Sequence, residues 1–467
     1  MKFFVPSFRQ SVCVMGLTSA VMISSLGGPG ILAQSKPQTP PGTVAKAPVT
    51  PVESVDKAAV LAATEEIFKV VSKLRGLEIK KDVKAGFRNR EELEKDVLKD
   101  MDESTPASEF DAQAKLLGKL GLVPAKYKLR EEMIKILSEQ IGGYYKPRTG
   151  EFFLTDRTDL EEQKIVIAHE LTHALQDQHF DLRRFENFPK GMGDKESAIH
   201  ALIEGEATVV MFDYLLEPLG GSVAKLPISI TDMLQVMSGP GMDSQEKTQM
   251  LSNAPRCIRE SLTFPYFTGA GFVQALVKDG GWASVSKAYT TLPESTEQIM
   301  HPEKYLKGES ATRITLAAAE SVLGKDWKVV TGDVTGEFGY TLILSEYLDE
   351  ADGSRGADGW DGDACRLYEN AKTGQLLLVQ HTSWDSADEA KEFYDAYAER
   401  TRKRYTGSKF VETKQGFQGE TKEGWVTVQI KGSEVLVLEG SATAKDASTV
   451  SAWFWKEDTC EKAKKQG

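Results

Sequence analysis

Positive charge is in short supply in this chain. Lys and Arg number 57 against 69 Asp and Glu, a formal net charge of -12 over 467 residues. A nucleic-acid partner calls for a basic face, so none is expected. Cysteine is scarcer, with four in the whole chain, which excludes a small disulfide-built scaffold. Long apolar runs are missing beyond the first residues. No later segment reaches the ~18 apolar residues that span a bilayer, so no stable membrane span is expected after the N-terminus. Histidine is rare too, at six, which makes two of them four residues apart informative.

The N-terminus differs from the rest. Lys2 and Arg9 give it a weakly basic start, Val12 to Leu26 is apolar with small interruptions, and Ile31-Leu32-Ala33 offers a cleavage site before Gln34. Residues 1–33 read as a secretory signal peptide, with an N-terminal anchor as the alternative, and imply a secreted or periplasmic protein. Residues 34–54 are proline-rich without apolar periodicity and read as a disordered linker. Cleavage would remove Cys13. Of the remaining three, Cys365 and Cys460 are the expected disulfide, because both fall in the C-terminal part, and Cys257 is expected as a buried free thiol.

Order is expected from residue 55. Hydrophobic content of 40% supports real cores. Helical spacing dominates to about residue 350, interrupted by a β-hairpin at residues 142–154 around Lys146-Pro147-Arg148-Thr149-Gly150. An edge strand there is suited to holding an extended peptide. Asp352 to Gly359 reads as a glycine- and aspartate-rich connection. Beyond it, strands (366–368, 376–381, 425–430, 434–439) alternate with helices (387–400 and around Val450 to Phe454), which suggests a small α+β domain over 351–467. The fold class is therefore α+β: a mainly helical domain with a small sheet over 55–350, then that smaller domain.

The stretch that carries chemistry is Ile165-Val166-Ile167-Ala168-His169-Glu170-Leu171-Thr172-His173-Ala174-Leu175. On a helix, His169 and His173 share one face and can offer two imidazole nitrogens to a tetrahedral Zn2+, with Glu170 beside them as general base. A bare His-Glu-x-x-His arises by chance in roughly one chain of this length in a hundred. Here its apolar flanks make the helix a buried one, and buried helices do not point two His and a Glu inward without a partner.

A catalytic zinc needs a third protein ligand. His179 is ten residues after His169, but on a continuous helix it lies roughly 240° from His173. Glu204 and Glu206, in Ala201-Leu202-Ile203-Glu204-Gly205-Glu206-Ala207-Thr208, point to nearly opposite sides. Small residues surround Glu204 and bulky ones Glu206, which favours Glu204, and Gly205 mid-helix suggests a close backbone contact. His200 lies a turn before Glu204. Asp177, a turn after His173, is a candidate to orient that imidazole.

His169-Glu170-Leu171-Thr172-His173 with Glu204-Gly205-Glu206-Ala207 resembles the gluzincin metallopeptidases. The resemblance covers about residues 140–216. By position it implies a zincin-like fold for residues 55–350, His169, His173 and Glu204 as zinc ligands, Glu170 as the base and a peptide or protein substrate. Thr208 stands where thermolysin-like enzymes carry an aspartate, and the Gly-x-Met-x-Asn motif for a free amino terminus is absent, so aminopeptidase activity is not expected. The family draws its oxyanion donor from downstream, where Tyr266 and His301 are the candidates, with Tyr305 beside them. The metzincin count His169-x3-His173-x5-His179 keeps a peptidase using His179 as an alternative, although Gln176 replaces that family's glycine. A non-catalytic exported binding protein with a structural zinc is the other.

Overall fold

The computed structural model describes residues 11–13, 57–140, 142–155, 160–238, 249–414 and 416–462. Apart from Ser11–Cys13, the expected signal peptide lies outside these residues, as does the expected linker. The protein is α+β. Its helices of eight or more residues are α1 (Lys57–Arg75), α2 (Arg90–Ser104), α3 (Ala107–Leu120), α4 (Leu129–Gln140), α5 (Leu160–Phe180), α6 (Gly193–Leu216), α7 (Ile230–Ser238), α8 (Arg256–Ala288), α9 (Gly336–Ser345), α10 (Glu350–Ala357), α11 (Ala387–Arg404) and α12 (Ala444–Glu457). Among the described residues, no helix is long and apolar enough to cross a membrane.

A four-stranded sheet stands beside the first helices. It joins β1 (Ser11–Cys13), β2 (Lys84–Arg88), β3 (Gly143–Lys146) and β4 (Glu151–Thr155) in the order β1-β3-β4-β2. β3 and β4 form the expected antiparallel hairpin, β2 runs parallel to β4, and β1 pairs antiparallel with β3. Against it lies α5, which is apolar on every side but one. Ile167, Ala168, Leu171, Ala174 and Leu175 are fully buried and share a core with Ile67, Phe68 and Val71 of α1 and Phe152 and Leu154 of the hairpin. Each such large side chain stabilises the fold by about 1.5–3 kcal/mol on burial, which offsets the cost of polar groups on the remaining face.

That remaining face meets α6, which is buried almost throughout. α8 crosses α6 on its other side at very short range. A Cβ on Gly205 would lie 2.2 Å from the carbonyl carbon of Gly269, and one on Gly269 would lie 2.2 Å from the Ala201 oxygen. The close contact expected at Gly205 is therefore backbone against backbone. Further along, α8 bends at Gly280 and Gly281, where the dihedrals leave the helical region.

The C-terminal half is an antiparallel sheet of seven strands, order β6-β7-β8-β12-β11-β10-β9: β6 (Trp327–Asp333), β7 (Trp360–Asn370), β8 (Leu376–Trp384), β9 (Phe410–Thr413), β10 (Gly416–Thr421), β11 (Gly424–Lys431) and β12 (Glu434–Ser441). α11 covers one face through Phe393 and Tyr397, in a core continuous with α2 to α4, α6 and α8. α12 covers the other through Val450 and Phe454. A small pair, β5 (Arg313–Thr315) with β13 (Thr459–Glu461), brings the C-terminal residues back beside β7.

Three expectations change here. The sheet begins at Trp327, upstream of residue 351. The stretch expected as a connection at Asp352 to Gly359 is largely helix α10, capped by Asp349, whose side chain accepts from the Asp352 amide. Its Gly353 and Gly356 let it press on Ser345, Leu344 and Ala396, where a Cβ would clash. Finally, Cys257, Cys365 and Cys460 are all free thiols. Cys365 is buried on β7, whereas Cys460 on β13 is exposed and bonds to Glu434.

Candidate metal centre

α5 and α6 bring three ligand atoms together. His169 Nε2 lies 3.1 Å from Glu204 Oε2, His173 Nε2 lies 3.3 Å from the same oxygen, and the two ring nitrogens are 3.0 Å apart. A tetrahedral ion with bonds of 2.0–2.1 Å holds its ligand atoms about 3.3–3.4 Å apart. The three side chains thus already stand at nearly the spacing of one ion's coordination shell, and the structure contains a group able to hold a metal. Both histidines are fully buried and Glu204 is 6% exposed.

Local bonds fix the orientation. Gln176 Oε1 lies 2.7 Å from His173 Nδ1, and Gln176 Nε2 donates to the Ile203 carbonyl at 2.9 Å. With Nδ1–H donating to the amide oxygen, His173 Nε2 is the nitrogen turned toward Glu204. Gln176 therefore does what Asp177 was a candidate to do. Asp177 instead accepts from the Tyr145 hydroxyl and from the Leu182 amide, both at 3.0 Å, tying α5 to the hairpin. The sequence carried a signal for Gln176, three residues on from His173 and so on its face. It was visible only as a departure from a glycine.

Electrostatics in the cluster follow from burial and from Glu204. Burial drives His169 down to about 4. Burial pulls His173 the same way, but the Glu204 charge and hydrogen bond outweigh it and raise this imidazole to about 9. For Glu204, burial acts upward and is overcome by the His173 charge and the bonds from both rings, leaving it at about 2. The cluster is thus an anionic carboxylate whose charge is met by a protonated His173, and a bound cation would take the place of that proton.

Glu206 has a different task. It is fully buried, ion-paired with Arg75 Nε at the end of α1, and accepts from the Tyr289 hydroxyl at 2.6 Å. Nothing local to Glu206 announces an arginine 131 residues away. His179 stays on the helix and bonds to the Glu78 carbonyl at 2.8 Å, turned from the cluster. Among the described residues, the ligand-competent groups at this centre are His169, His173 and Glu204.

Glu170 is fully buried beside His169. Tyr266 reaches the centre as well: its ring centroid lies 6.0 Å from that of His169, at 30°. The Gly205–Gly269 contact is what permits it, since Tyr266 precedes Gly269 by three residues on α8. His301 is held elsewhere. Its Nε2 lies 2.8 Å from Glu337 Oε1 and 3.7 Å from Asp358, and the hydrogen bond with Glu337 lifts the imidazole to about 9. Tyr305 bonds to the Thr291 carbonyl. His200, a turn before Glu204, is buried.

Residues 307–451 match a family model described as a domain of unknown function (DUF8575). The match covers the C-terminal sheet and leaves α5, α6 and the centre outside it. No curated protein and no solved structure matches the chain.

Proposed function

We propose that the chain is an exported, gluzincin-like zinc peptidase acting on peptide or protein substrates. The observation that carries this reading is the three-residue donor set with Glu170 beside it: catalytic zinc sites use three protein ligands and keep one position for water, whereas structural sites use four. The residues fit zinc, with two imidazoles and a carboxylate at tetrahedral spacing. Zinc held there supplies Lewis acidity to a water and to the scissile carbonyl. Glu170 takes a proton from the attacking water as its oxygen bonds to the carbonyl carbon, then delivers it to the amine as the C–N bond breaks. Tyr266 is the donor for the developing oxyanion. Removal of the expected signal peptide would take β1 from the sheet and leave β3 as an edge, where a substrate would pair antiparallel as Ser11–Cys13 does with Gly143–Tyr145.

Complete burial of Glu170 and both histidines favours a second reading, in which the metal braces α5 on α6 without catalysis. Casein hydrolysis by the zinc-loaded chain and by Glu170→Gln separates the two. The peptidase reading expects the variant to keep its zinc and lose rate by about 10²–10⁴-fold, the usual worth of a general base. Undiminished hydrolysis in a zinc-retaining Glu170→Gln would reject the assigned base, and an inert zinc-loaded parent chain would favour the structural reading.

A further inference from the structure

A second group of ligating side chains lies at the far side of the C-terminal sheet. His381 comes from β8, Glu434 from the start of β12 and Cys460 from β13. Their ligand atoms lie within 4.8 Å of one another. Glu434 Oε2 is central, 3.1 Å from His381 Nε2 and 3.6 Å from Cys460 Sγ. For tetrahedral zinc with a Zn–S bond of about 2.3 Å and Zn–N and Zn–O bonds near 2.0 Å, those two separations should be about 3.3 and 3.5 Å.

The ring of His381 is held from behind. Its Nδ1 lies 2.8 Å from Asp458 Oδ2, and Asp458, the residue that ends α12, has a fully buried side chain. His381 itself is 2% exposed. A carboxylate bonded to Nδ1 makes Nε2 the nitrogen offered outward, an arrangement that metal-ligating histidines almost always have. Trp455 packs edge-on against the ring at 5.0 Å and bonds through its own nitrogen to Gln429, limiting the ring's rotation. On the open side Glu434 and Cys460 reach solvent, so a cation has a way in and water has a place in its shell.

We infer that His381, Glu434 and Cys460 form a second metal site for a zinc-class divalent cation, with Asp458 as the positioning residue. Thiolate, imidazole and carboxylate together are the donor set of a borderline-soft ion rather than of calcium or magnesium. The ion would tie β13, which among the described residues pairs with the short β5, to β8 and β12. This site is independent of the peptidase reading, because it shares no residue and no helix with the His169 centre.

Cobalt(II) is the probe, added to the full chain after chelator treatment and in the presence of reductant. A thiolate ligand gives a near-ultraviolet sulfur-to-cobalt charge-transfer band, and the His169, His173 and Glu204 set contains no sulfur. The band should appear in the parent chain, persist in His169→Ala, and vanish in Cys460→Ser together with one bound equivalent. Asp458→Asn should keep the band at saturation while weakening cobalt binding by about 10–100-fold. Circular dichroism on each variant checks that the sheet is intact. A folded parent chain without the band at saturating cobalt, or a band that survives Cys460→Ser, would overturn the assignment and leave His381 as an imidazolium paired with two carboxylates.

Discussion

Two buried carboxylates, Glu204 in the helical half and Glu439 in the sheet, solve the same problem in opposite ways. Glu439 on β12 accepts from Tyr397 at 2.6 Å, Arg400 at 2.7 Å and Arg404 at 2.8 Å, with Tyr405 at 3.3 Å. Burial acts to raise it, and the charges of Arg400, Arg404 and Lys119 overcome that, leaving it at about 2. Its charge is answered entirely by the protein. Glu204 faces two imidazoles whose nitrogens crowd each other at 3.0 Å, His169 driven toward the neutral form and His173 toward the charged one. The sheet network answers its carboxylate with guanidinium groups, which cannot ligate a metal, while the helical one answers it with imidazoles, which can. A buried charge by itself therefore says little about function. What separates a structural ion pair from a candidate ligand is whether its partners can themselves bind a metal, and Glu206, two residues from Glu204 and paired with Arg75, falls on the structural side.

The comparison breaks most readily at the metal. Glu204→Gln should lower zinc affinity beyond the about 10–100-fold seen when an outer partner of a metal ligand is lost, measured by titration of the chelator-stripped chain, whereas Glu439→Gln should leave zinc content unchanged. If Glu439→Gln loses zinc as readily, the two networks are not separate.

In stability the order reverses. Glu439→Gln leaves Arg400 buried without its anion and should cost about 3–5 kcal/mol in denaturant unfolding. Glu206→Gln should cost the same through Arg75, and it should keep zinc, which distinguishes it from its neighbour. Smaller is the effect of Gly205→Ala. Its Cβ would meet the Gly269 backbone at 2.2 Å, and overpacking of this kind costs about 1–3 kcal/mol. It should also push Tyr266 from His169, lowering hydrolysis more than zinc affinity.

The mildest test is pH. Glu439 is depressed from 4.5 to about 2, so its contribution is fully present above pH 4.5 and is lost as pH falls toward 2. Acid unfolding of Glu439→Gln should be flatter than that of the parent chain across this window. A parallel pair of curves would mean that Glu439 is not ionised in the fold.

How much of this could be read beforehand depended on the range of the interactions. The helix of the candidate ligands was legible because His169 and His173 are four apart in an apolar frame, and the size of their neighbours separated Glu204, which meets both histidines, from Glu206, which meets Arg75. The strands expected at 425–430 and 434–439 and the helix at 387–400 followed from local periodicity. What escaped was set by partners distant in sequence. Arg75 meets Glu206 only because α1 packs on α6, and β6 joins the sheet across an intervening helix pair. The glycines of α10 looked like a connection, yet they serve to let a short helix approach its neighbours. Cys365 and Cys460 share a region but not a neighbourhood, which spacing alone does not reveal.

Anomalous diffraction at the zinc edge, from crystals of the zinc-loaded chain, tests the central claim most directly. The account predicts a peak bonded to His169 Nε2, His173 Nε2 and a Glu204 carboxylate oxygen, with His179 and Glu206 left on Glu78 and Arg75. An ion held by His179 or Glu206, or no peak between α5 and α6, would contradict it.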